Sequence, residues 1–275
     1  MVAVTTVGFV VHEGRAAAVE AADTLRGKLD AAGITCRDDV TAGVALVVAV
    51  GGDGTFLRGA HAAAAVGVPV LGVKVGRLGF LTEVEPGDAA ELITRALAGD
   101  APIEDRLAVV AEPVNGAIFD RQWGMNEIMV EKRARHRLVR LRVEVDGEYL
   151  TTFSADGVIV ATPTGSTAYS FSARGPIVSP SVDVLVVTAV APHMVFDRSF
   201  VLGPEQVVTL EVVGDEPGLM SADGRDSIEL PVGAAVRIRR ADAPARFVRR
   251  PDAAPFVARV RDKFGLPGDP ADDED

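Results

Sequence analysis

The chain holds a single cysteine, Cys36, among 275 residues, and that scarcity excludes a disulfide framework. A core built without covalent staples fits a reducing compartment. Histidine is nearly as sparse: His12, His61, His136 and His193 are widely separated, and with Cys36 alone they offer no spacing for a zinc or redox-metal site. Long apolar runs are also missing. The longest, around residues 44–50 and 184–190, fall far short of the roughly 18 to 20 residues that cross a bilayer. The opening MVAVTTVGFVVHEGR lacks the basic start and small-residue cleavage site of a signal peptide and reads as a first strand, so a cytoplasmic protein with no membrane partner is expected.

Basic charge is in deficit, with 28 Lys and Arg against 39 Asp and Glu and a formal net charge of −11. Five of the acids lie in the closing DPADDED; removing them from −11 leaves −6. This segment has no apolar anchor, and residues 268–275 are expected to form a disordered tail. An acidic body argues against nonspecific nucleic-acid binding, which needs Lys and Arg to neutralise backbone phosphates. The one basic run, KRARHRLVRLR over residues 132–142, alternates Leu138, Leu141 and Val143 with arginines and fits a strand with one solvated face.

What is present is a globular composition, 48% hydrophobic and 24% charged, in a chain long enough for two domains. Over residues 4–97 apolar runs alternate with stretches of helical spacing: strands at 4–11, 44–50 and 68–73, helices at 15–32, 55–66 and 88–97. Strand–helix alternation predicts a parallel sheet with crossover helices. Beyond Pro102 the texture becomes short alternating segments (107–114, 138–145, 149–153, 158–161, 207–213, 235–239). These are separated by turn pairs such as Asn115-Gly116, Asp146-Gly147 and Asp223-Gly224, and the texture reads as a β-sandwich. The expected organisation is therefore α/β plus all-β: an α/β domain over 1–103, a β-sandwich over 104–252, and a last helix within 253–267 that packs back on the first domain.

The sharpest local feature is a buried-looking strand that runs into Gly51-Gly52-Asp53-Gly54-Thr55 and then a helix. In open α/β sheets, ligands bind at the carboxyl ends of strands, where Asp53 falls. Glycines let backbone approach a phosphate, and a helix start favours an anion. No G-x-x-x-x-G-K-[ST] occurs, and counting from Gly52 the third glycine of G-x-G-x-x-G would fall on Leu57, so neither a P-loop nor a standard dinucleotide fingerprint is present. On its own this loop reads equally as a tight turn with Asp53 capping a helix.

Two further segments stand out. DGVIVATPTGSTAYSFSARGP, residues 156–176, brings Thr162, Thr164, Ser166, Thr167, Tyr169, Ser170 and Ser172 within eleven residues, a hydroxyl density that suits a polyhydroxylated, phosphate-bearing ligand. It also reads as a loop of Ser/Thr turns with a short helix over 168–173. Asn126-Glu127, beside the single tryptophan Trp123, could pair with an adenine edge and ribose hydroxyls, or form a solvated turn.

In this order and spacing the three segments closely resemble the NAD kinase family: GGDGT after a strand, then NE, then DG-(x)4-TPTGSTAYS-x-SA-x-GP. GVKVGRLGFL (72–81), Ala222-Asp223-Gly224-Arg225 and the ending over 256–266 are supporting matches, so the resemblance covers about residues 4–267. GGDGT is shared with diacylglycerol and sphingosine kinases, whereas TPTGSTAYS is specific. The resemblance implies a Rossmann-like α/β domain with a C-terminal β-sandwich, ATP or inorganic polyphosphate as donor, NAD as acceptor, a divalent ion such as Mg²⁺ held mainly by substrate phosphates, and homodimers or homotetramers. It implies Asp53 as proton acceptor and Gly51, Gly52, Gly54 and Thr55 as the phosphate-donor loop. Asp53, Gly54, Arg58, Asn126, Glu127, Arg137, Ser154, Asp156, Thr164, Thr167, Ala168, Tyr169, Ser170, Phe171, Ser172 and Arg225 fall on the NAD side.

Three positions depart from the family pattern. Lys74 stands where asparagine is common, Arg174 replaces the first glycine of SAGGP, and Ser154 is small where some relatives carry a basic residue. A lipid kinase of the diacylglycerol type and a non-catalytic NADP-sensing module are the rival readings.

Overall fold

The computed structural model describes residues 5–76 and 79–267. The expected disordered tail over 268–275, the first four residues, and Arg77 and Leu78 of the GVKVGRLGFL stretch lie outside them. The chain divides into two compact units, one of residues 1–105 and 245–275, the other of residues 106–244.

The first unit holds β1 (Thr6–Val11), α1 (Ala16–Ala31), β2 (Thr35–Arg37), β3 (Val44–Gly51), α2 (Asp53–Val66), β4 (Val70–Lys74), α3 (Ala89–Ala98), β5 (Ile103–Arg106), and, after the second unit, β18 (Ala245–Val248) and α5 (Phe256–Phe264). Its sheet runs β2-β1-β3-β4-β18-β5, and the β1–β2, β1–β3, β3–β4 and β4–β18 pairs are all parallel. β3 is central and buried on both faces, which explains its unbroken run of small and β-branched residues. Leu46, Val48 and Val50 join Ala18, Ala22, Leu25 and Leu29 of α1 and Ile93 of α3 in one core. On the opposite face α2 lies close enough that a Cβ on Gly59 would stand 2.8 Å from Ala49 Cβ. Phe56 of α2 also meets Phe247 of β18 edge-on, with ring centroids 4.8 Å apart. Helices thus cover both faces of a parallel sheet, and its strand ends deliver the glycine loop.

Residues 245–252 sort with this unit and not with the sandwich, where the sequence reading put them. The reason is β18: its Phe247 pairs in parallel with Val70 of β4, and the Arg249 amide donates to the Pro102 carbonyl.

The second unit comprises β6 (Val109–Val114), β7 (Gln122–Gly124), β8 (Glu127–Lys132), β9 (Val139–Val145), β10 (Glu148–Ala155), β11 (Gly157–Ala161), α4 (Tyr169–Ser172), β12 (Leu185–Val190), β13 (Phe200–Leu202), β14 (Val208–Val213), β15 (Gly218–Ala222), β16 (Ile228–Leu230) and β17 (Ala235–Arg240). They form two six-stranded sheets, β10-β9-β14-β17-β6-β7 and β13-β12-β11-β8-β15-β16, with antiparallel pairing throughout the recorded ladders. Val109, Leu141, Val143, Leu210 and Ile238 of one sheet share a core with Ile128, Val130, Val158, Val160, Leu185 and Met220 of the other, which makes the unit a sandwich. Each of the turn pairs Asn115-Gly116, Asp146-Gly147 and Asp223-Gly224 has positive φ at both positions, the backbone that a two-residue reversal demands. The basic run 132–142 is not one strand: it crosses the end of β8, a connection and the start of β9, where Val139 and Leu141 point inward and Arg140 outward.

Candidate active site

The sequence places Asp53 behind two glycines, and the structure shows what that achieves. Gly52 is the N-cap of α2 and makes no side-chain capping bond, so Asp53 is the first helical residue and does not cap its own helix. Its carboxylate turns instead to the loop after β4. Phe80 N–H donates to Oδ2 at 2.9 Å, and Leu81 N–H and Thr82 N–H donate to Oδ1 at 3.2 and 3.4 Å. A Cβ on Gly79 would overlap both carboxylate oxygens, so any larger residue there would displace the Asp53 carboxylate. The resemblance segment GVKVGRLGFL thus serves the GGDGT loop physically, a link that spacing alone does not reveal.

That loop is braced from behind. Arg259 of α5 donates to the Phe80 carbonyl at 3.1 Å and lies 3.4 Å from Glu83, which also meets Arg249 at 2.6 Å. Lys74, open in role from sequence, forms an ion pair with Glu85 at 2.5 Å.

Beside Asp53 lies a cleft of about 540 Å³. One wall is the turn between β1 and α1, residues 12–15; the other is Gly52, Gly54, Thr55 and Arg58 at the start of α2. Glu13 is the carboxylate in this lining, and the cations are Arg15 and Arg58. Sequence reasoning assigned Arg58 to the site but not His12 or Arg15, which carry no local motif.

In the second unit Asn126, Glu127 and the TPTGS segment come together, as do the residues that hold them. Thr162 N–H donates to the Asn126 carbonyl at 2.8 Å and Thr162 Oγ1 donates to the Met125 carbonyl at 2.6 Å. Gly165 packs so closely on Asn126 that a Cβ would overlap its backbone. From the other side Asp223 accepts from the Met125, Asn126 and Glu127 amides at 2.8, 2.7 and 3.1 Å. This clamp leaves Asn126 Oδ1 and Glu127 Oε2 buried without a partner among the described residues. Two such acceptors in one turn are a cost that a ligand's donors, or a proton on Glu127, would relieve. Burial, and then the neighbouring Asp223, push Glu127 up to about 8. Burial likewise raises Asp223, against the opposing pull of its three amide donors and Arg225.

Other predicted contact residues divide by exposure. Thr167, Ala168, Tyr169, Phe171 and Ser172 are at least partly accessible, whereas Thr164 and Ser170 are buried. Thr164 Oγ1 accepts from Arg106 at 3.3 Å, and Ser170 Oγ meets Thr188 Oγ1 at 3.2 Å, so both hydroxyls have protein partners. Asp156 is in an ion pair with Lys132 at 2.5 Å. Arg225 is folded onto the carbonyls of Ala222 and Trp123, a framework role beside the Asp223 clamp. Exposed Arg137 lies 3.5 Å from Glu216. Ser154, half-buried in β10, accepts at its carbonyl from His193 N–H at 2.8 Å. Arg174 is exposed with φ of 67°, the left-handed conformation that glycine adopts freely.

Residues 34–101 match the ATP-NAD kinase N-terminal domain family and residues 125–250 the ATP-NAD kinase C-terminal domain family. The chain is 40% identical to NAD kinase 2 of Streptomyces avermitilis over 286 residues, covering 95% of each. It is 42% identical to the NAD kinase of Rhodococcus erythropolis over 231 residues, covering 83% of this chain and 73% of that one. In fold it is similar to yeast NADH kinase solved with NADH, with a TM-score of 0.86 at 23% identity over 97% of this chain and 89% of the other. It is also similar to an Archaeoglobus fulgidus NAD kinase solved with ATP, with a TM-score of 0.74 at 24% identity over 95% and 97%.

Proposed function

Since the chain belongs to the NAD kinase family and is an NAD kinase, forming NADP from NAD, we propose that Asp53 is the group that takes the acceptor proton. The observation that carries this is the amide cradle. Three N–H groups of residues 80–82 orient the Asp53 carboxylate beside the cleft at the α2 start. Oδ1 accepts from the Leu81 and Thr82 amides and from Thr82 Oγ1, whereas Oδ2 accepts only from Phe80 N–H, so Oδ2 keeps a lone pair for an incoming hydroxyl.

The acceptor is the 2′-hydroxyl of the adenosine ribose of NAD, and the donor is the terminal phosphoryl of ATP or inorganic polyphosphate. The hydroxyl oxygen attacks the terminal phosphorus, the bridging P–O bond breaks, and the proton passes to Asp53 as charge builds on the departing phosphate chain. In such transfers positioning and charge neutralisation lower most of the barrier. Gly51, Gly52, the amide of Gly54 and the hydroxyl of Thr55 form the donor loop, and Arg58 contacts the dinucleotide. Asn126 and Glu127 hold a nucleoside part through their unmatched buried oxygens, with Thr167, Ala168, Tyr169, Phe171 and Ser172 as the accessible rim.

Among the described residues no three His, Cys, Asp or Glu side chains form a metal cage. A Mg²⁺ ion, which takes oxygen ligands and keeps several waters, fits as a companion of the donor phosphates, with Glu13 in the cleft wall as its protein oxygen. When bound it neutralises phosphate charge. Homodimers or homotetramers are the expected assembly, and edge strand β13, with Val201 57% exposed, offers an apolar surface for it. No helix among the described residues is long and apolar enough to cross a membrane.

The test is direct. Incubation of the purified protein with NAD, Mg²⁺ and either ATP or polyphosphate should yield NADP, and Asp53→Asn should slow this by roughly 10² to 10⁴-fold while NAD still binds.

A further inference from the structure

We propose that Arg15 and His12, on the β1–α1 turn, are binding residues for the phosphate chain of the phosphoryl donor and complete the seat that the glycine loop begins. This rests on the NAD kinase reading and adds a wall of the site that the glycine loop does not contain. The ligand chemistry is a run of anhydride-linked phosphates, shared by ATP and inorganic polyphosphate.

Three observations converge on it. The first is a partner-seeking hydroxyl. Thr55 is 3% exposed and lines the cleft, yet its Oγ1 has no hydrogen-bond partner among the described residues. It lies against Gly51, where a Cβ would come within 2.6 Å of it. A buried hydroxyl without a partner is unfavourable unless a ligand supplies one.

The second is the helix start. α2 is 14 residues long, and its first turn faces the same cleft through Gly52 and Gly54. The Thr55 and Phe56 amides are used by the Gly52 carbonyl, which leaves those of Asp53 and Gly54 among the first-turn donors that a helix cannot satisfy internally. Such donors, with the positive end of the dipole, favour phosphate.

The third is the state of the arginines. Arg15 donates to the Val75 carbonyl and fills the space that Gly76 leaves by lacking a side chain. Arg58 donates to the Val11 carbonyl at 3.4 Å. Each guanidinium is therefore braced on backbone, and among the described residues neither forms an ion pair with a carboxylate. Two arginines against the single carboxylate of Glu13 leave this cleft with an excess of positive charge, a local exception on a chain of formal net charge −11. His12 is anchored by its own amide, which donates to the Val50 carbonyl at 3.0 Å, so the turn carrying it is tied to the strand that leads into Gly51. The lining has no aromatic residue besides His12, which fits recognition of the phosphate chain rather than of a base.

The experiment uses the full-length protein and inorganic tripolyphosphate as the probe, with binding followed by calorimetry and turnover followed separately with ATP and with long-chain polyphosphate. Arg15→Gln and His12→Gln are each expected to weaken tripolyphosphate binding, by roughly tenfold for the arginine, the loss of a charge-assisted contact. In steady state they should raise the donor KM in each donor arm that supports turnover and leave the KM for NAD in place. Arg15→Lys should recover part of the binding. Equal tripolyphosphate affinity in wild type and both glutamine variants, or a change confined to the KM for NAD, overturns the proposal. Because both positions are exposed, unchanged thermal midpoints are expected, and His12→Gln decides the matter if Arg15→Gln does not fold. If the wild type binds tripolyphosphate through Arg15 but forms no NADP with either donor, the proposed catalytic reading fails and the phosphate seat stands.

Discussion

The carboxylate of Asp53 occupies the space that a side chain on Gly79 would need, and the amides of Phe80, Leu81 and Thr82 point into that carboxylate. Gly79→Ala is therefore expected to displace Asp53 without changing its chemistry. Its kcat should fall at least tenfold, toward the roughly 10²- to 10⁴-fold loss typical of removing a general base. Steady-state kinetics and tripolyphosphate calorimetry check it: full activity in Gly79→Ala would show that the observed orientation of Asp53 does not matter.

The brace behind that loop yields a second expectation. Arg259 reaches from α5 to the Phe80 carbonyl and to Glu83, so the C-terminal helix fixes the segment that fixes Asp53. Arg259→Ala should cost about 1 kcal/mol of stability by removing its bonds to the half-buried Phe80 carbonyl and Glu83, and should lower kcat more than it raises the KM for NAD. A thermal melt paired with kinetics separates this from loss of fold alone, since a purely structural role would leave the kcat of the folded fraction intact.

The sandwich unit carries a pH signature. Glu127, pushed up to about 8 mainly by burial, retains a proton in the native state that an unfolded chain, with its glutamate at 4.5, would have released. The stability it contributes is full below pH 4.5 and is lost progressively as pH rises through 8, on the order of a few kcal/mol in all. Denaturant titrations from pH 5 to 8.5 should show this decline, and Glu127→Gln should flatten it. A slope unchanged by that substitution would assign the effect to other groups.

Asp223 is the residue that forces Asn126 and Glu127 into one buried turn. Asp223→Ala removes the acceptor of three amides and should raise the KM for NAD severalfold with little effect on donor binding, because the donor cleft described above lies in the other unit. Arg225→Ala is expected to act in the same direction but more weakly, since it supports the clamp from the carbonyls of Ala222 and Trp123.

Much of the framework was legible because local chemistry decides it. The β-branched run of β3 has to be a buried strand, and Gly67, Gly99 and Gly265 end their helices in the left-handed conformation that glycine tolerates. Asn115-Gly116 and Asp146-Gly147 turn where such pairs turn. Contacts that join distant segments were not legible. β18 has only four residues, and nothing in Ala245–Val248 announces that it leaves the sandwich to pair with β4. The same limit applied to the site. Asp53 stood out by its glycines, but its partners lie 27 to 29 residues on, and Asp223 clamps a turn 96 to 98 residues before it. Periodicity reports neighbours along a strand or helix, not backbone amides that meet a carboxylate across a fold. In the hydroxyl-rich segment, sequence does not separate the exposed hydroxyls from Thr164 and Ser170, which are buried and have protein partners in space.

The most direct measurement is NADP formation by wild type and Asp53→Asn under saturating NAD, ATP and Mg²⁺, with NAD binding followed in parallel. The account predicts turnover in the wild type, a loss of roughly 10² to 10⁴-fold in the variant, and a dissociation constant for NAD that is nearly unchanged. An Asp53→Asn protein that binds NAD and turns over at the wild-type rate would contradict it.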